Sequence, residues 1–290
     1  MPKPSFCIVG CGTLGNALGR LLFQAGYPVA GVASRTAVHA RAAADILETD
    51  NWSTDPWEVT KKADLCFLTT TDSAIEGVCA AIADADGFAP GSVVLHSSGA
   101  LTSEILVSAR KCGARIGSMH PMQSFAGDRP GVNLFSGILV SLEGDPEALS
   151  ICRQIVADLG ANHARVRSEA KTLYHAAAVV ASNYLVTILS MAFALNEAAG
   201  ISPAESLQGL LPLIHGTLGN IQAQGIPNAL TGPIARGDLT TVERHLGEIE
   251  KKIPRLAALY KSLGLSTTDV ALGKGGIDEE KAEKFRKLFR

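Results

Sequence analysis

The sequence predicts an α/β fold in which a doubly wound N-terminal domain (residues 1–167) precedes an all-helical C-terminal domain (residues 168–290). Three observations predict it. Short apolar runs alternate with amphipathic stretches over the first part of the chain, a glycine-rich turn follows the first apolar run, and the alternation stops near Ser168. At 290 residues the chain is long enough for two domains with separate cores.

The first element is an apolar run, Phe6–Val9, that ends in glycines and leads into an amphipathic stretch. This order predicts a buried strand, a tight turn and a helix. Gly10 permits the turn, Gly12 lets the backbone approach a pyrophosphate, and Gly15 lets helix and strand pack closely. The first-turn amides of the helix hold the phosphates. A dinucleotide-binding Rossmann domain is expected, and a purely structural glycine turn is the alternative. The cofactor-binding residues expected in this turn are Gly10, Gly12, Thr13, Leu14 and Gly15.

The second predicted strand ends in Ser34-Arg35-Thr36. Proteins that bind NAD usually place Asp or Glu at this point, where the carboxylate accepts hydrogen bonds from the ribose hydroxyls. An arginine beside hydroxyl groups suits a 2′-phosphate instead, since its guanidinium group pairs with the phosphate. We therefore expect Ser34 and Arg35 to bind NADP in preference to NAD; an arginine exposed on a loop is the alternative.

Polar residues follow the next predicted strands. In a parallel sheet the ligand crevice lies beyond the carboxyl ends of the strands, so Thr70 and Ser97 are expected beside the cofactor. His120 follows a later strand and is expected to contact the substrate. A role for His120 and His96 in bracing their loops, and a capping role for Asp72 at the next helix, are the alternatives. A further strand, helix and strand complete the sheet before residue 167.

The longest predicted helix runs from Glu169 to Ala199, and Ala176 to Leu195 contains no charge. Such a stretch could span a membrane, but it contains several polar residues and no second span accompanies it. An all-round apolar helix also suits the centre of a helical domain or a dimer. We expect a buried helix, no membrane partner, and a homodimer formed through the helical domain.

Composition narrows the functional class. The net charge is −2, and nearly half of the residues are apolar, which gives no support to nucleic-acid binding. The six cysteines are scattered without a CxxC pair or a cluster at metal spacing, so no metal is expected and a reducing cytoplasm is favoured. No signal sequence is evident at the start of the chain, which agrees with a cytoplasmic location. Cys11 is expected to fill space facing the cofactor.

Four segments, added to the glycine turn and the Ser-Arg strand end, give the chain a family resemblance. It resembles predicted NADP oxidoreductases that join a Rossmann-like domain to a C-terminal domain of unknown function. These proteins resemble in turn the superfamily of 6-phosphogluconate dehydrogenase, ketopantoate reductase and pyrroline-5-carboxylate reductase. The resemblance implies the architecture and the use of NADP, and it names no substrate. The segments are His96–Ala100, His120–Phe125, Ser182–Tyr184 and Thr231–Asp238.

In the wider superfamily a lysine and an asparagine on the first long helix of the second domain face the nicotinamide. The resemblance implies that Lys171 or His175 donates a proton here and that Asn183 orients the substrate. Lys171 and His175 are four residues apart, and Val179 and Asn183 continue the same row. In ketopantoate reductases the corresponding row is Lys-Asn-Asn, whereas His175 and Val179 occupy the intermediate positions in this sequence. A solvated Lys171, and core hydrogen bonds for His175 and Asn183, are the alternatives.

These features favour an NADP-dependent oxidoreductase that moves hydride between nicotinamide and a small polar carbonyl, hydroxyl or imine substrate in a cleft between the domains. The alternative is a non-catalytic NADP-binding sensor or scaffold, because fold alone does not separate the two. Arg236 is expected either to pair with Asp238 or to bind a substrate carboxylate.

Overall fold

A computed structural model describes residues 2–125, 127 and 131–290 of the chain. The chain forms two compact units, residues 1–182 and 183–290, which are described separately. The first unit contains an eight-stranded sheet and seven α-helices within the described residues. The second unit is helical.

The strands of the first unit are β1 (Phe6–Val9), β2 (Val29–Ala33), β3 (Trp52–Ser53), β4 (Leu65–Leu68), β5 (Val93–His96), β6 (Arg115–Pro121), β7 (Leu139–Gly144) and β8 (Asn162–Arg165). Their order in the sheet is β3-β2-β1-β4-β5-β6-β7-β8. Strands β1 to β6 are parallel, and this 3-2-1-4-5-6 order is that of the Rossmann fold. Strand β7 is antiparallel to β6, and β8 runs parallel to β7.

The helices of the first unit are α1 (Thr13–Gln24), α2 (Ala37–Ile46), α3 (Trp57–Thr60), α4 (Asp72–Asp84), α5 (Val107–Lys111), α6 (Pro146–Asp158) and α7 (Lys171–Val179). They cover both faces of the sheet. Phe6 and Ile8 of β1 lie in one core with Leu18 of α1, while Cys7 lies in the opposite core with Ile75 of α4. Because both faces of the sheet are buried, its central strands are apolar at successive positions and do not alternate with polar residues. The predicted doubly wound fold is confirmed.

The second unit consists of α8 (Leu185–Ala198), α9 (Pro203–Gln224), α10 (Ile226–Ala229), α11 (Leu239–Lys252), α12 (Ala257–Gly273) and α13 (Glu279–Phe289). Ser202 caps α9 in a capping box with Glu205, and Pro203 occupies the first helical position. Gly264 of α12 lies against the ring of Phe289, where a Cβ atom would come within 2.3 Å of the ring. Helices α12 and α13 therefore pack closely.

The helical stretch Ser168–Ala198 differs from the expected buried helix. Within the described residues it is the one stretch long and apolar enough to cross a membrane, by length and composition alone, with a mean hydropathy of 1.8. Only 6% of its most apolar window is buried inside the chain. Helix α8 contacts α9, yet Val186 keeps 68% of its surface exposed. The expectation that this helix lies at the centre of the chain's own helical domain is wrong, because the neighbouring elements cover little of it. Its burial in a dimer stays a prediction.

Candidate active site and nucleotide cavity

The turn between β1 and α1 requires glycine at two positions for different reasons. Gly10 has a φ of 105°, and a Cβ atom there would lie 2.8 Å from the main chain of Thr69. A Cβ atom on Gly15 would lie 2.2 Å from the carbonyl oxygen of Gly10. Gly12, in contrast, faces open space, with no atom within 4 Å of a Cβ atom placed there. This is the arrangement expected when a phosphate approaches the backbone at Gly12.

A cavity of about 900 Å³ lies at the carboxyl ends of β1, β2 and β4, in front of this turn. Leu14 packs against the core beneath it and Gly15 is buried, whereas Ser97 is not part of the cavity wall. Six of the nine residues expected to bind the cofactor therefore line one cavity. They are Gly10, Gly12, Thr13, Ser34, Arg35 and Thr70.

Three buried polar atoms around this strand edge lack a hydrogen-bond partner among the described residues. They are Oδ1 of Asn16, Oγ1 of Thr70 and Oγ of Ser97. Asn16 and Thr70 line the cavity itself, and Ser97 follows β5, the strand beside β4. Because buried polar atoms are normally paired, such atoms point to a polar ligand. The amide and hydroxyl groups fit the ribose, phosphate and amide groups of a nicotinamide dinucleotide.

The far end of the cavity suits a charged nucleotide group. Arg35 is exposed there, and Thr36, the residue before α2, makes no capping hydrogen bond with its side chain. Both line the cavity together with Ser34. Cys11 lines it too; burial raises the pKa of its thiol to about 11, so the group stays protonated. That agrees with a space-filling role for Cys11.

A second polar cluster lies where β6 and β7 pair. Their antiparallel register places Ser118 opposite Glu143 and His120 opposite Ser141. Side chains two residues apart on a strand share a face, and directly opposite residues do as well. The four polar side chains therefore form a rectangle on one face of the sheet. Helix α7 supplies Lys171 and Tyr174 to it.

Lys171 is buried, with 1% of its surface exposed. Its ammonium group hydrogen-bonds to Oγ of Ser118 and to the carbonyl oxygen of Ser98 (3.2 Å), and it lies 3.9 Å from the carboxylate of Glu143. The same carboxylate accepts hydrogen bonds from the amide (2.7 Å) and hydroxyl (2.7 Å) of Ser103. Burial lowers the pKa of Lys171 to about 8, although the carboxylates of Glu143 and Asp72 oppose this shift. The alternative of a solvated Lys171 is therefore wrong.

His120 and His175 meet at Gly99, in the turn after β5. A Cβ atom on Gly99 would lie 2.6 Å from Nδ1 of His175 and 2.8 Å from Nε2 of His120, so only glycine fits between the two rings. Nδ1 of His120 lies 3.1 Å from the hydroxyl of Tyr174. Burial, with smaller contributions from the charges of His175 and Lys171, lowers the pKa of His120 to about 4. Nδ1 of His175 is buried and has no partner among the described residues.

The neighbouring turn residues have structural partners. The ring of His96 accepts from the amide of Ser98 at Nδ1 (3.1 Å) and lies 3.1 Å from the carbonyl oxygen of Thr102 at Nε2. Burial, with the charge of Lys171, lowers the pKa of His96 to about 3, so this ring is neutral. Asp72 accepts a hydrogen bond from the hydroxyl of Ser98 (2.7 Å) and does not cap its helix by side chain. These contacts support the loop-bracing alternative for His96.

Asn183 begins the second unit, whereas this cluster lies in the first. A π-helical turn at Val180–Tyr184 interrupts the helix, so the expected row of residues at intervals of four does not continue to Asn183. Its side chain is exposed and belongs to the second unit. Arg236 is also exposed in that unit, and its guanidinium group makes no hydrogen bond or ion pair with another described residue. Asp238 caps α11 by accepting from the amide of Thr241 (3.1 Å); hydrogen bonds from the hydroxyl and amide of Thr241 lower the pKa of Asp238, and the charge of Arg236 contributes in the same direction.

Sequence reasoning missed Glu143, Tyr174, Ser118 and Ser141. The available signal was two pairs of polar residues at alternating positions within apolar strands, Ser118-x-His120 and Ser141-x-Glu143. Alternating polar residues place both members of each pair on one face. What joins the two pairs is the strand register, which the sequence pattern does not specify.

The fold and the glycine turn define this chain as a Rossmann-type α/β protein with a helical C-terminal region. Family comparison agrees: a Rossmann-like domain matches residues 1–121, and a domain of unknown function, DUF2520, matches residues 138–267. The chain therefore consists of a Rossmann-like N-terminal domain and a DUF2520 C-terminal domain. None of the curated proteins compared with the chain matches it.

Two of the similar solved structures share at least 25% identity with this chain. A Bacteroides fragilis protein assigned as an NADP oxidoreductase shares 25% identity with a TM-score of 0.76, over 92% of this chain and 98% of its own. A Thermotoga maritima protein shares 28% identity with a TM-score of 0.72, over 93% of this chain and 99% of its own. The similarity extends through both domains.

More distant structures share the fold. A reductive aminase from Aspergillus terreus, solved with NADPH and ethyl-5-oxohexanoate, has 19% identity and a TM-score of 0.68 over 99% of this chain and 100% of its own. A 1-pyrroline-5-carboxylate reductase from Streptococcus pyogenes has 13% identity and a TM-score of 0.62 over 99% of each chain. The predicted resemblance is confirmed, and the similar structures include several solved with NADPH.

Proposed function

We propose that this protein is an NADP-dependent oxidoreductase that transfers hydride between nicotinamide and a small polar carbonyl, hydroxyl or imine substrate. The observation that carries the proposal is that the glycine turn and Ser34-Arg35 line the same cavity. A pyrophosphate at Gly12 and a 2′-phosphate at Arg35 are the two charged groups of NADP, and the cavity offers a site for each.

The bound dinucleotide supplies the hydride. Within the chain, Asn16, Thr70 and Ser97 provide unpaired polar groups for the nicotinamide half. His120 lies beside them because β6 follows β5 and β4 in the strand order, and His175 of α7 meets His120 at Gly99. They are the candidates for contact with the substrate heteroatom.

Lys171 has a different place in the proposal. Its ammonium group is engaged by Ser118, Ser98 and Glu143 and has almost no exposed surface. We assign it to holding the turn after β5, through the carbonyl oxygen of Ser98, rather than to direct contact with substrate. Contact with the substrate heteroatom then falls to the histidines.

The relatives support this class of activity. The Bacteroides fragilis relative is assigned as an NADP oxidoreductase, and the Aspergillus terreus reductive aminase was solved with NADPH and a keto ester. We propose that this chain likewise catalyses reduction with NADPH and that its substrates are carbonyls or imines.

The test is a fluorescence titration with NADPH and NADH, followed by an absorbance screen of NADPH oxidation with ketones, keto acids and imines. We expect tighter binding of NADPH than of NADH and turnover of at least one carbonyl or imine. Tight NADPH binding without turnover across the panel would instead favour a non-catalytic NADP-binding sensor. Failure to bind either nucleotide would contradict both functions.

We also propose that the second unit forms a homodimer. Exposed apolar side chains cover α8 and α9, among them Val186, Leu213 and Leu218, each more than half exposed. Soluble monomers rarely expose apolar patches beyond about 300–600 Å². A second copy of the chain is the occupant we favour, since Glu197 and Glu205 flank the connection between these helices, and their charges suit an interface better than a lipid core.

A further inference from the structure

We propose that Tyr174 is a positioning residue that fixes His120 in the tautomer carrying its hydrogen on Nε2, which makes His120 a neutral hydrogen-bond donor to the substrate. The catalytic consequence rests on the proposed function. The tautomer is a property of the chain alone, and it can be measured without a substrate.

The first step is the contact between the two residues. The hydroxyl of Tyr174 lies 3.1 Å from Nδ1 of His120, and the rings meet edge to face with their centroids 5.6 Å apart. A neutral imidazole has one nitrogen that donates and one that accepts. If the phenol donates to Nδ1, the ring hydrogen must be on Nε2.

The second step is the direction of that hydrogen bond. Imidazole nitrogen is more basic than phenol oxygen and is the stronger hydrogen-bond acceptor, so the phenol of Tyr174 donates and Nδ1 of His120 accepts. Burial raises the pKa of Tyr174, and a hydrogen bond with the side chain of Ser141 acts in the opposite direction. Ser141 is paired with His120 across β6 and β7, which places its hydroxyl beside the oxygen of Tyr174. That hydroxyl can donate to the phenol oxygen while the hydrogen of Tyr174 is donated to His120.

The third step concerns the other side of the ring. Nε2 of His120 lies against Gly99 at the carboxyl end of β5, beside the unpartnered Nδ1 of His175. Because Nδ1 is hydrogen-bonded to Tyr174, Nε2 is the ring nitrogen that can form a hydrogen bond with a ligand. Burial and neighbouring charges keep the ring neutral at physiological pH.

A neutral N–H suits the proposed reaction. Hydride adds to the substrate carbon, the π electron pair moves to the oxygen or nitrogen, and that atom takes a proton from water. A donor on Nε2 stabilises the charge that develops on the heteroatom, and His120 itself loses no proton. Neutral imidazoles act in this electrophilic way in other enzymes.

The test is two-bond ¹H–¹⁵N NMR on protein labelled at histidine, with His120→Asn to assign the signals. We expect the Nε2–H pattern for His120 in the unaltered protein and a loss of this preference in Tyr174→Phe. With an active substrate, Tyr174→Phe should lower kcat about ten-fold, the equivalent of one hydrogen bond, and leave the KM for NADPH unchanged.

Tyr260→Phe is the matched control, because the hydroxyl of Tyr260 lies 3.0 Å from Nδ1 of His245 in the second unit. It removes the same kind of contact and should leave the His120 signals and kcat unchanged. Ser141→Ala is the second variant, should Tyr174→Phe not fold, and it should weaken the Nε2–H preference.

An Nδ1–H pattern for His120 in the unaltered protein would overturn the proposal, as would an unchanged pattern in both Tyr174→Phe and Ser141→Ala. The expected tautomer together with no NADPH binding or turnover would contradict the proposed function and leave the assignment of the tautomer in place.

Discussion

The ammonium group of Lys171 donates a hydrogen bond to the main-chain carbonyl oxygen of Ser98, 3.2 Å away, and thereby ties α7 to the turn that follows β5. The same group lies 3.9 Å from the carboxylate of Glu143. Both side chains are buried, so each charge depends on the other and on nearby hydroxyl groups for compensation. This contact links the helix to the strand ends that carry the candidate chemistry.

Replacement of this lysine should destabilise the fold. Lys171→Met leaves the Glu143 carboxylate buried without its cation, which costs about 3–5 kcal/mol of unfolding free energy. Urea unfolding at pH 7 measures it. Lys252→Met is the control, since its pair with Glu248 (3.5 Å) is exposed and contributes at most about 1 kcal/mol. Equal losses in the two variants would contradict the buried ion pair, and Lys171→Met combined with Glu143→Leu should recover part of the loss.

Two glycines of the β1–α1 turn should respond differently to the same substitution. In Gly15→Ala the new methyl group would meet the carbonyl oxygen of Gly10 at 2.2 Å, so both the melting temperature and NADPH affinity should fall. In Gly12→Ala the methyl group enters open space, so stability should be retained while NADPH binding weakens. Thermal melting and NADPH fluorescence measure the two effects. Similar melting temperatures for both variants would contradict the close packing at Gly15.

Arg35 should determine the preference for NADPH. Arg35→Ala removes the cation expected at the 2′-phosphate, and charge-assisted hydrogen bonds contribute about 1.5–3 kcal/mol. We expect NADPH to bind roughly ten- to hundred-fold more weakly and NADH to bind as before. Parallel fluorescence titrations measure this ratio. An equal loss of affinity for both nucleotides would place Arg35 elsewhere in the binding site.

The buried histidines predict acid sensitivity. The pKa of His96 is lowered to about 3 and that of His120 to about 4, from 6.5 in the unfolded chain. The unfolded state therefore binds more protons below pH 6.5, and stability falls as the pH is lowered, by about 1.4 kcal/mol per pH unit for each group. Urea midpoints between pH 7 and 4.5 measure this slope. His120→Asn should make the decline shallower, and an unchanged slope would show that His120 titrates normally.

The exposed face of α8 and α9 predicts the oligomeric state. We expect a dimer in sedimentation at micromolar concentration, and Val186→Glu and Leu213→Glu should shift it toward monomer because a charge at the interface is costly. Val38→Glu is the control, because Val38 is 76% exposed on α2 of the first unit. A clean monomer of the unaltered chain would contradict the interface, and flotation with lipid vesicles would favour the membrane alternative.

Local patterns were enough to predict the fold and much of the nucleotide cavity. The glycine turn and the Ser34-Arg35 strand end each depend on a few neighbouring residues, so their spacing was enough to predict that they lie at the same cavity. Glu143 and Tyr174 were not predicted, because their partners lie on other elements of the fold. The strand register and the packing of α7 bring these partners together, and neither can be read from a local pattern. The expected position of Asn183 assumed a regular helix, and the π-helical turn at Val180–Tyr184 breaks that geometry. The exposure of α8 depends on how much of its surface the rest of the chain covers, which periodicity alone does not indicate.

The antiparallel pairing of β6 with β7 has a consequence for how related chains can diverge. The four polar side chains share one face only in the observed register of β7 against β6. A shift of this register by one residue would turn Ser141 and Glu143 together to the opposite face of the sheet. Insertions within β7 must therefore come in pairs if homologous chains are to preserve the contacts of Lys171 and Tyr174.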